Sequence, residues 1–239
     1  MPAAAVSSLV RPPGPAERVA VGIDGYPRGW VAIALGSGAF RGAAASHSLL
    51  ALVKEFPSAM AIGVDIPLGL LPDRVRQCDR AAYQLLGPRR NSVFMTPPEP
   101  VVMAATFQDA LQLSRRLTGI GLSRQAFALA ARILEADAVR SEDDRIFEVH
   151  PEVSFWAMNN RHLAHPKTSW SGFCARLELL RSQGIEIPAE PGQAGLVPPV
   201  DVLDAAAAAW SANRRALGKA RSVAPPEEGP DGHQISIWY

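Results

Sequence analysis

The sequence predicts an α/β fold: a five-stranded mixed sheet, three antiparallel strands followed by parallel ones, flanked by helices, with a helical insertion between strands four and five. Three observations lead there. Val19 to Gly25 and Met60 to Asp65 are short apolar runs of one design, each closing on Gly, a β-branched residue and Asp. The first run continues into two further strand-like runs across short turns, which implies an antiparallel meander. The second is reached through a helix-length segment, so it is most simply parallel to the first.

Taken in order, Gly25-Tyr26-Pro27-Arg28-Gly29 is a turn, Trp30 to Leu35 a second strand, and Ala39 to Ala45 a third after Gly36-Ser37-Gly38. Ser48 to Phe56 reads as a helix with Ser48 as N-cap, ahead of the Asp65 strand. Ile66 to Gly69 is a loop, and Arg76 to Leu86 a helix stopped at Gly87-Pro88. Pro97, Pro98 and Pro100 mark a break. Thr106 to Leu117 and Ser123 to Arg140 are helices, the latter with Phe127, Ala130, Ala131, Leu134 and Ala138 on one stripe. Arg145 to Val149 restarts the sheet, and Pro151-Glu152 opens another helix. Trp170 to Gln183 is helical up to Gly184, Pro188 to Pro199 a loop, Asp201 to Lys219 an Ala-rich helix, and His233 to Trp238 a terminal strand. The helical stretch from about 70 to 144 is thus an insertion into a single domain spanning 18–239. Residues 1–17, rich in Ala, Ser and Pro, read as a disordered extension and not as a signal peptide.

In a chain of 239 residues, 48% hydrophobic content is ample for a core, and 20% charged residues with a net charge of +1 announce no global nucleic-acid surface. No apolar run reaches membrane-spanning length. Cys78 and Cys174 lack metal-ligand spacing and read as small apolar groups in a reducing cytoplasm.

The chemistry lies in the acids. A carboxylate at a strand end costs several kcal/mol to bury unless a cation or hydrogen bonds stabilise it. Asp24-Gly25 alone also reads as a hairpin turn; beside a parallel strand ending on Asp65, it becomes half of a carboxylate pair that a divalent cation would hold. Asp201 and Asp204 share a helix face. Asp201 can equally serve as first-turn charge, whereas Asp204 precedes Ala205 to Ala209, whose small side chains would let the helix lie against the sheet. Glu148 ends the restarted strand and is either a further ligand or a solvent-facing acid. His150 reads first as a structural histidine and second as a ligand or proton shuttle.

Asp on the first strand, Asp ending the fourth and an Asp-x-x-Asp pair on the last helix resemble the ribonuclease H-like nuclease superfamily, particularly its Holliday-junction-resolvase branch. More closely, the chain resembles an uncharacterised family of predicted ribonuclease H-like nucleases. The matching stretches run from Val21–Gly25 with Gly29-Trp30 and Gly63–Gly69 through Arg76–Arg80, Leu86-Gly87, Gly121–Gln125 and Phe147–Glu152. Lys167-Thr168, Gly172, Arg176 and Asp201–Ala205 complete the set. The resemblance implies that Asp24, Asp65, Asp201 and Asp204 are catalytic acids, with Glu148 as an extra metal ligand. Two Mg²⁺ (or Mn²⁺) ions would then clamp a scissile phosphate. Phosphate contacts would fall to Arg76, Arg80, Arg89 and Arg90, with Arg74 beside them, or to Lys167 and Arg176; a solvated helix face is the alternative for the arginines. The partner implied is nucleic acid or a small phosphoester, with no membrane and an open oligomeric state. A catalytically silent binding or scaffold protein of the same fold is a second reading. A phosphotransferase of the actin and sugar-kinase branch is a third, for which 239 residues are too few to build two lobes.

Overall fold

The computed structural model describes residues 18–239, and the expected extension over 1–17 lies outside them. The chain opens β1 (Val19–Tyr26), β2 (Gly29–Gly36), β3 (Ala39–Ser46), α1 (Leu49–Lys54) and β4 (Ala59–Asp65). It continues α2 (Gln77–Leu86), α3 (Glu99–Val102), α4 (Phe107–Thr118), α5 (Arg124–Ala128), α6 (Ala130–Arg140), β5 (Ile146–Glu148), α7 (Pro151–Asn159), α8 (Trp170–Ser182) and α9 (Pro199–Ala216). A small hairpin of β6 (Glu227–Glu228) and β7 (Gln234–Ile235) follows.

The main sheet has the order β3-β2-β1-β4-β5, with β1–β2 and β2–β3 antiparallel and β1–β4 and β4–β5 parallel. This is the expected mixed sheet, consistent with a ribonuclease H-like arrangement. Its two faces follow from the alternation of side chains along each strand. Val21 and Ile23 of β1 with Ile62 and Val64 of β4 pack against Leu49 and Leu52 of α1 and Ile133 and Ala136 of α6. On the other face, Val31, Ile33 and Leu35 of β2 meet Ala205, Ala206 and Ala209 of α9. Each of these Val, Leu and Ile side chains contributes about 1.5–3 kcal/mol when fully buried.

The contact of α9 with β1 and β4 is closer than side chains would permit. A Cβ on Gly22 would stand 1.9 Å from the Ala209 nitrogen and 2.2 Å from the Ala205 carbonyl oxygen. A Cβ on Gly63 would stand 3.0 Å from the Ala208 carbonyl oxygen and 2.7 Å from Val149 Cγ2. Each glycine therefore seats helix backbone directly on strand backbone. Because strand faces alternate, Asp24 and Asp65, two residues beyond these glycines, face the helix that Gly22 and Gly63 admit.

Several elements differ from the sequence expectation. The helix expected over Ser123 to Arg140 divides at Leu129, whose N–H bonds to the Ala126 carbonyl three residues back rather than four. Its buried face is Ile133, Ala136 and Val139, rotated from the expected stripe; Ala131 and Ala138 are exposed. Three of the five stripe residues were alanines, and alanine is at home on either face of a helix. The proline-rich break contains α3, because Pro98 and Pro100 sit at its start, where a missing N–H costs nothing. The terminal strand is only Gln234–Ile235 and pairs outside the main sheet. Among the described residues, no helix is long and apolar enough to cross a membrane.

Gly22→Ala should therefore cost about 3 kcal/mol or more, since the methyl meets helix backbone that cannot yield. Gly121→Ala, with open space around it and no positive φ, should stay within about 0.5 kcal/mol. Urea unfolding of the two variants checks this; equal stability would show that α9 can move away from β1.

Candidate metal centre

Asp24 and Asp65 are direct partners across the parallel β1–β4 pair, at the ends of both strands. Asp204 comes from the second turn of α9, one residue before the alanines that touch Gly22. One carboxylate oxygen from each of the three lies within 4.8 Å of the others. Asp24 and Asp204 are buried, and Asp65 is half-buried.

Burial, reinforced by Asp65 and Asp204, raises the Asp24 carboxyl well above the usual range. Burial and the Asp204 charge push Asp65 up to about 7, against the opposing pull of Lys167. Burial also raises Asp204, although the Lys167 ammonium beside it works the other way. Burial works against the Lys167 charge in turn, yet Asp204, with Asp65 and Asp24 behind it, holds that ammonium above its ordinary value. Three acids that resist ionisation together are a site short of positive charge.

The partners of individual oxygens sharpen this. Asp24 Oδ1 accepts the Gly25 N–H at 2.7 Å. Asp204 Oδ2 accepts from Lys167 Nζ, while Asp204 Oδ1 is buried with no partner. An orphaned, anionic, inward oxygen beside two further carboxylates fits a hard divalent cation, which takes oxygen ligands and would satisfy it.

The other expected site residues fall in different places. Asp201, on the same helix, is partly exposed and stands outside the group of three; burial raises its pKa, with Lys167 and Arg132 opposing. Glu148 lines the same cleft, but neither oxygen is free. Oε2 accepts from the Leu68 N–H at 2.7 Å and Arg76 Nη1 at 2.5 Å, and Oε1 from Arg76 Nη2 at 2.8 Å. Arg76, expected at the substrate, is instead an internal tie: fully buried, it bridges Glu148 to both oxygens of Asp79. Arg176 is likewise buried, paired with Glu152 and donating to the carbonyls of Gly172 and His165. A guanidinium so enclosed has no donor left facing solvent. Arg89 donates to the Leu163 carbonyl, Arg90 lies over the Tyr83 ring and Arg80 is exposed. None of these three lines the acidic cleft.

That cleft, of about 300 Å³, is walled by residues of the segment between β4 and β5, including Phe94, Gln125 and Arg132. Arg132 donates to the Tyr26 carbonyl and lies 5.5 Å from the Trp30 ring centre. His150 is also at the cleft; its Nε2 is 3.1 Å from the Ser92 carbonyl oxygen, and its buried Nδ1 has no partner. Burial lowers the His150 pKa, which keeps the ring neutral. Nε2 therefore carries the hydrogen, and Nδ1 presents a free lone pair.

The profile of a family described as a protein of unknown function (DUF429) matches residues 22–229. The chain belongs to the DUF429 family. No curated protein and no solved structure matches it. The DUF429 match runs from Gly22, the residue that admits α9, past Asp24, Asp65, Lys167 and Asp204. Within this DUF429 chain, Arg132 was missed on sequence because it sits among helical residues with nothing local to mark it. The role of Gly22 and Gly63 was missed because the partner they admit lies at the far end of the chain.

Two outcomes follow from this electrostatic arrangement. An Asp at the ordinary value of 3.8 when unfolded and at about 7 when folded binds more protons in the folded state between those values. Its contribution to stability is thus full below about pH 4 and lost as the pH climbs through 7. In EDTA, the native protein should weaken between pH 5 and 8 by on the order of 2 kcal/mol more than Asp65→Asn; parallel pH profiles would show that Asp65 titrates normally. Arg76→Met should cost about 3–5 kcal/mol by leaving Asp79 and Glu148 buried without a counter-charge. Arg80→Ala, in the helix that Arg76 precedes, should stay within about 0.5 kcal/mol by thermal or urea melts.

Proposed function

We propose that this protein is a divalent-metal-dependent phosphodiester hydrolase, a nuclease of ribonuclease H-like type. The observation that carries the reading is the convergence of Asp24, Asp65 and Asp204, with Asp204 Oδ1 buried and unpartnered. These three residues would hold Mg²⁺ or Mn²⁺. When bound, such an ion supplies Lewis acidity toward a phosphoryl oxygen and its attacking water.

The chain's own groups are suited to the remaining tasks. Lys167 and Arg132 set positive charge at the cleft for an anionic substrate, which favours a phosphoester over a neutral ligand. Neutral His150, which lines the cleft and keeps a buried, unpartnered Nδ1 lone pair, would be the proton acceptor there. Phe94 and Leu129 supply an apolar wall on which a base or other flat group can rest. A cleft of about 300 Å³ suits one nucleotide unit or a small phosphodiester at a time. A polymer would therefore enter as a single strand or a frayed end. Free thiols at Cys78 and Cys174 suit a reducing cytoplasm.

The test is cleavage of end-labelled single-stranded, duplex and branched DNA and RNA, together with a chromogenic phosphodiester, in Mg²⁺ or Mn²⁺. EDTA should abolish hydrolysis. Asp24→Asn should lower it by more than the roughly 10–100-fold that outer partners of a metal site usually contribute. Cleavage that survives in Asp24→Asn, or no cleavage of any substrate with either ion, would remove the reading.

A further inference from the structure

Resting on that metal-dependent reading, we infer that the centre takes a single divalent cation and that the Lys167 ammonium provides the second positive charge of the site. The resemblance drawn from the sequence implied two ions; the oxygens present argue for one. Of the six oxygens of Asp24, Asp65 and Asp204, Asp24 Oδ1 already accepts a backbone N–H and Asp204 Oδ2 already accepts from Lys167. The other four belong to three side chains that each bring one oxygen within 4.8 Å of the others, a set that suits one ion that keeps some of its water. Two ions about 3.5–4 Å apart need a bridging carboxylate and terminal ligands for each.

The other carboxylates lining the cleft already have a cation: Asp79 and Glu148 are both tied to Arg76, and Glu152 gives its Oε1 to Arg176, which meets its charge. Charge agrees with this count. Asp24, Asp65 and Asp204 are balanced by one divalent ion and the ammonium even before Arg132 at the same cleft is counted, whereas two divalent ions would leave the site strongly positive before a substrate enters.

Lys167 is also fixed in place from behind. Arg176 donates to the carbonyl of His165, two residues before Lys167, at 3.3 Å, and to Gly172 at 2.9 Å. Pro166 accepts from both the backbone and the hydroxyl of Ser169. The Pro166 carbonyl oxygen lies where a Cβ of Gly172 would be, 1.9 Å from that position. A turn this tightly seated aims a lysine at Asp204, although 41% of its side chain remains exposed. Asp204 is thereby divided between two cations: Oδ2 for the ammonium and Oδ1 for the divalent ion.

Titration of the full chain with Mn²⁺, following the free-ion signal by electron paramagnetic resonance, tests this without reference to activity. The native chain should bind one Mn²⁺, and Asp204→Asn should lose it. Lys167→Met, of similar length and without charge, should still bind one but about tenfold more tightly, because a repelling charge has gone; Lys167→Arg should stay near the native value. Two ions of comparable affinity in the native chain would overturn the inference and leave the metal-dependent reading standing. Unchanged affinity in Lys167→Met would overturn the role given to the ammonium. Failure of the native chain to bind Mn²⁺ at all would remove the metal-dependent reading itself, and this inference with it.

Discussion

The whole arrangement depends on backbone meeting backbone where α9 crosses β1 and β4. Gly22 faces the peptide groups at Ala205, Ala208 and Ala209, and Gly63 faces that at Ala208. This contact sets how deep the helix lies, and so how far the Asp204 carboxylate stands from Asp24 and Asp65. A side chain of even one carbon at Gly22 would lift the helix. Since the three oxygens share a space of only 4.8 Å, a lift of that size would separate them. The motif Gly-x-Asp, present in both strands, thus combines two functions two residues apart: admission of the helix and supply of the ligand.

A second ring of charge surrounds the acids and does different work. Arg76 and Arg176 are both buried; the first ties Asp79 and Glu148 and the second Glu152, all of which line the cleft. Breaking such buried pairs is costly, because the survivor keeps its charge without its partner. Their effect is to leave Asp24, Asp65 and Asp204 as the cleft acids that no arginine ties. Burial and mutual repulsion raise all three carboxyls, while Glu148, which shares the single Arg76 charge with Asp79, is raised as well.

Much of this was legible in the sequence, for identifiable reasons. Strand alternation and short turns fixed β1 to β4 within a residue or two, and an apolar run ending on Asp is rare enough to notice twice. The alanines after Asp204 correctly implied a helix pressed against the sheet. What could not be read were properties of partners far apart in sequence. Arg76 and Arg176 looked like phosphate-binding cations because nothing near them in sequence tells a solvated arginine from one enclosed by Glu148 or Glu152. Arg132 and the free Nδ1 of His150 depend on chain folded over from elsewhere. The helix division at Leu129 carries no glycine or proline to announce it.

The pairing of β1 with α9 has a consequence in time as well as in space. β1 leaves the ribosome well before α9, the helix that covers it. Contacts across so great a separation close late and slowly, after the local hairpins and helices have formed. Until residues near Asp204 have been synthesised and docked, the chain holds two of its three acids, with no orphaned Oδ1 to complete the set. A nascent chain that has not yet supplied α9 therefore carries no assembled centre.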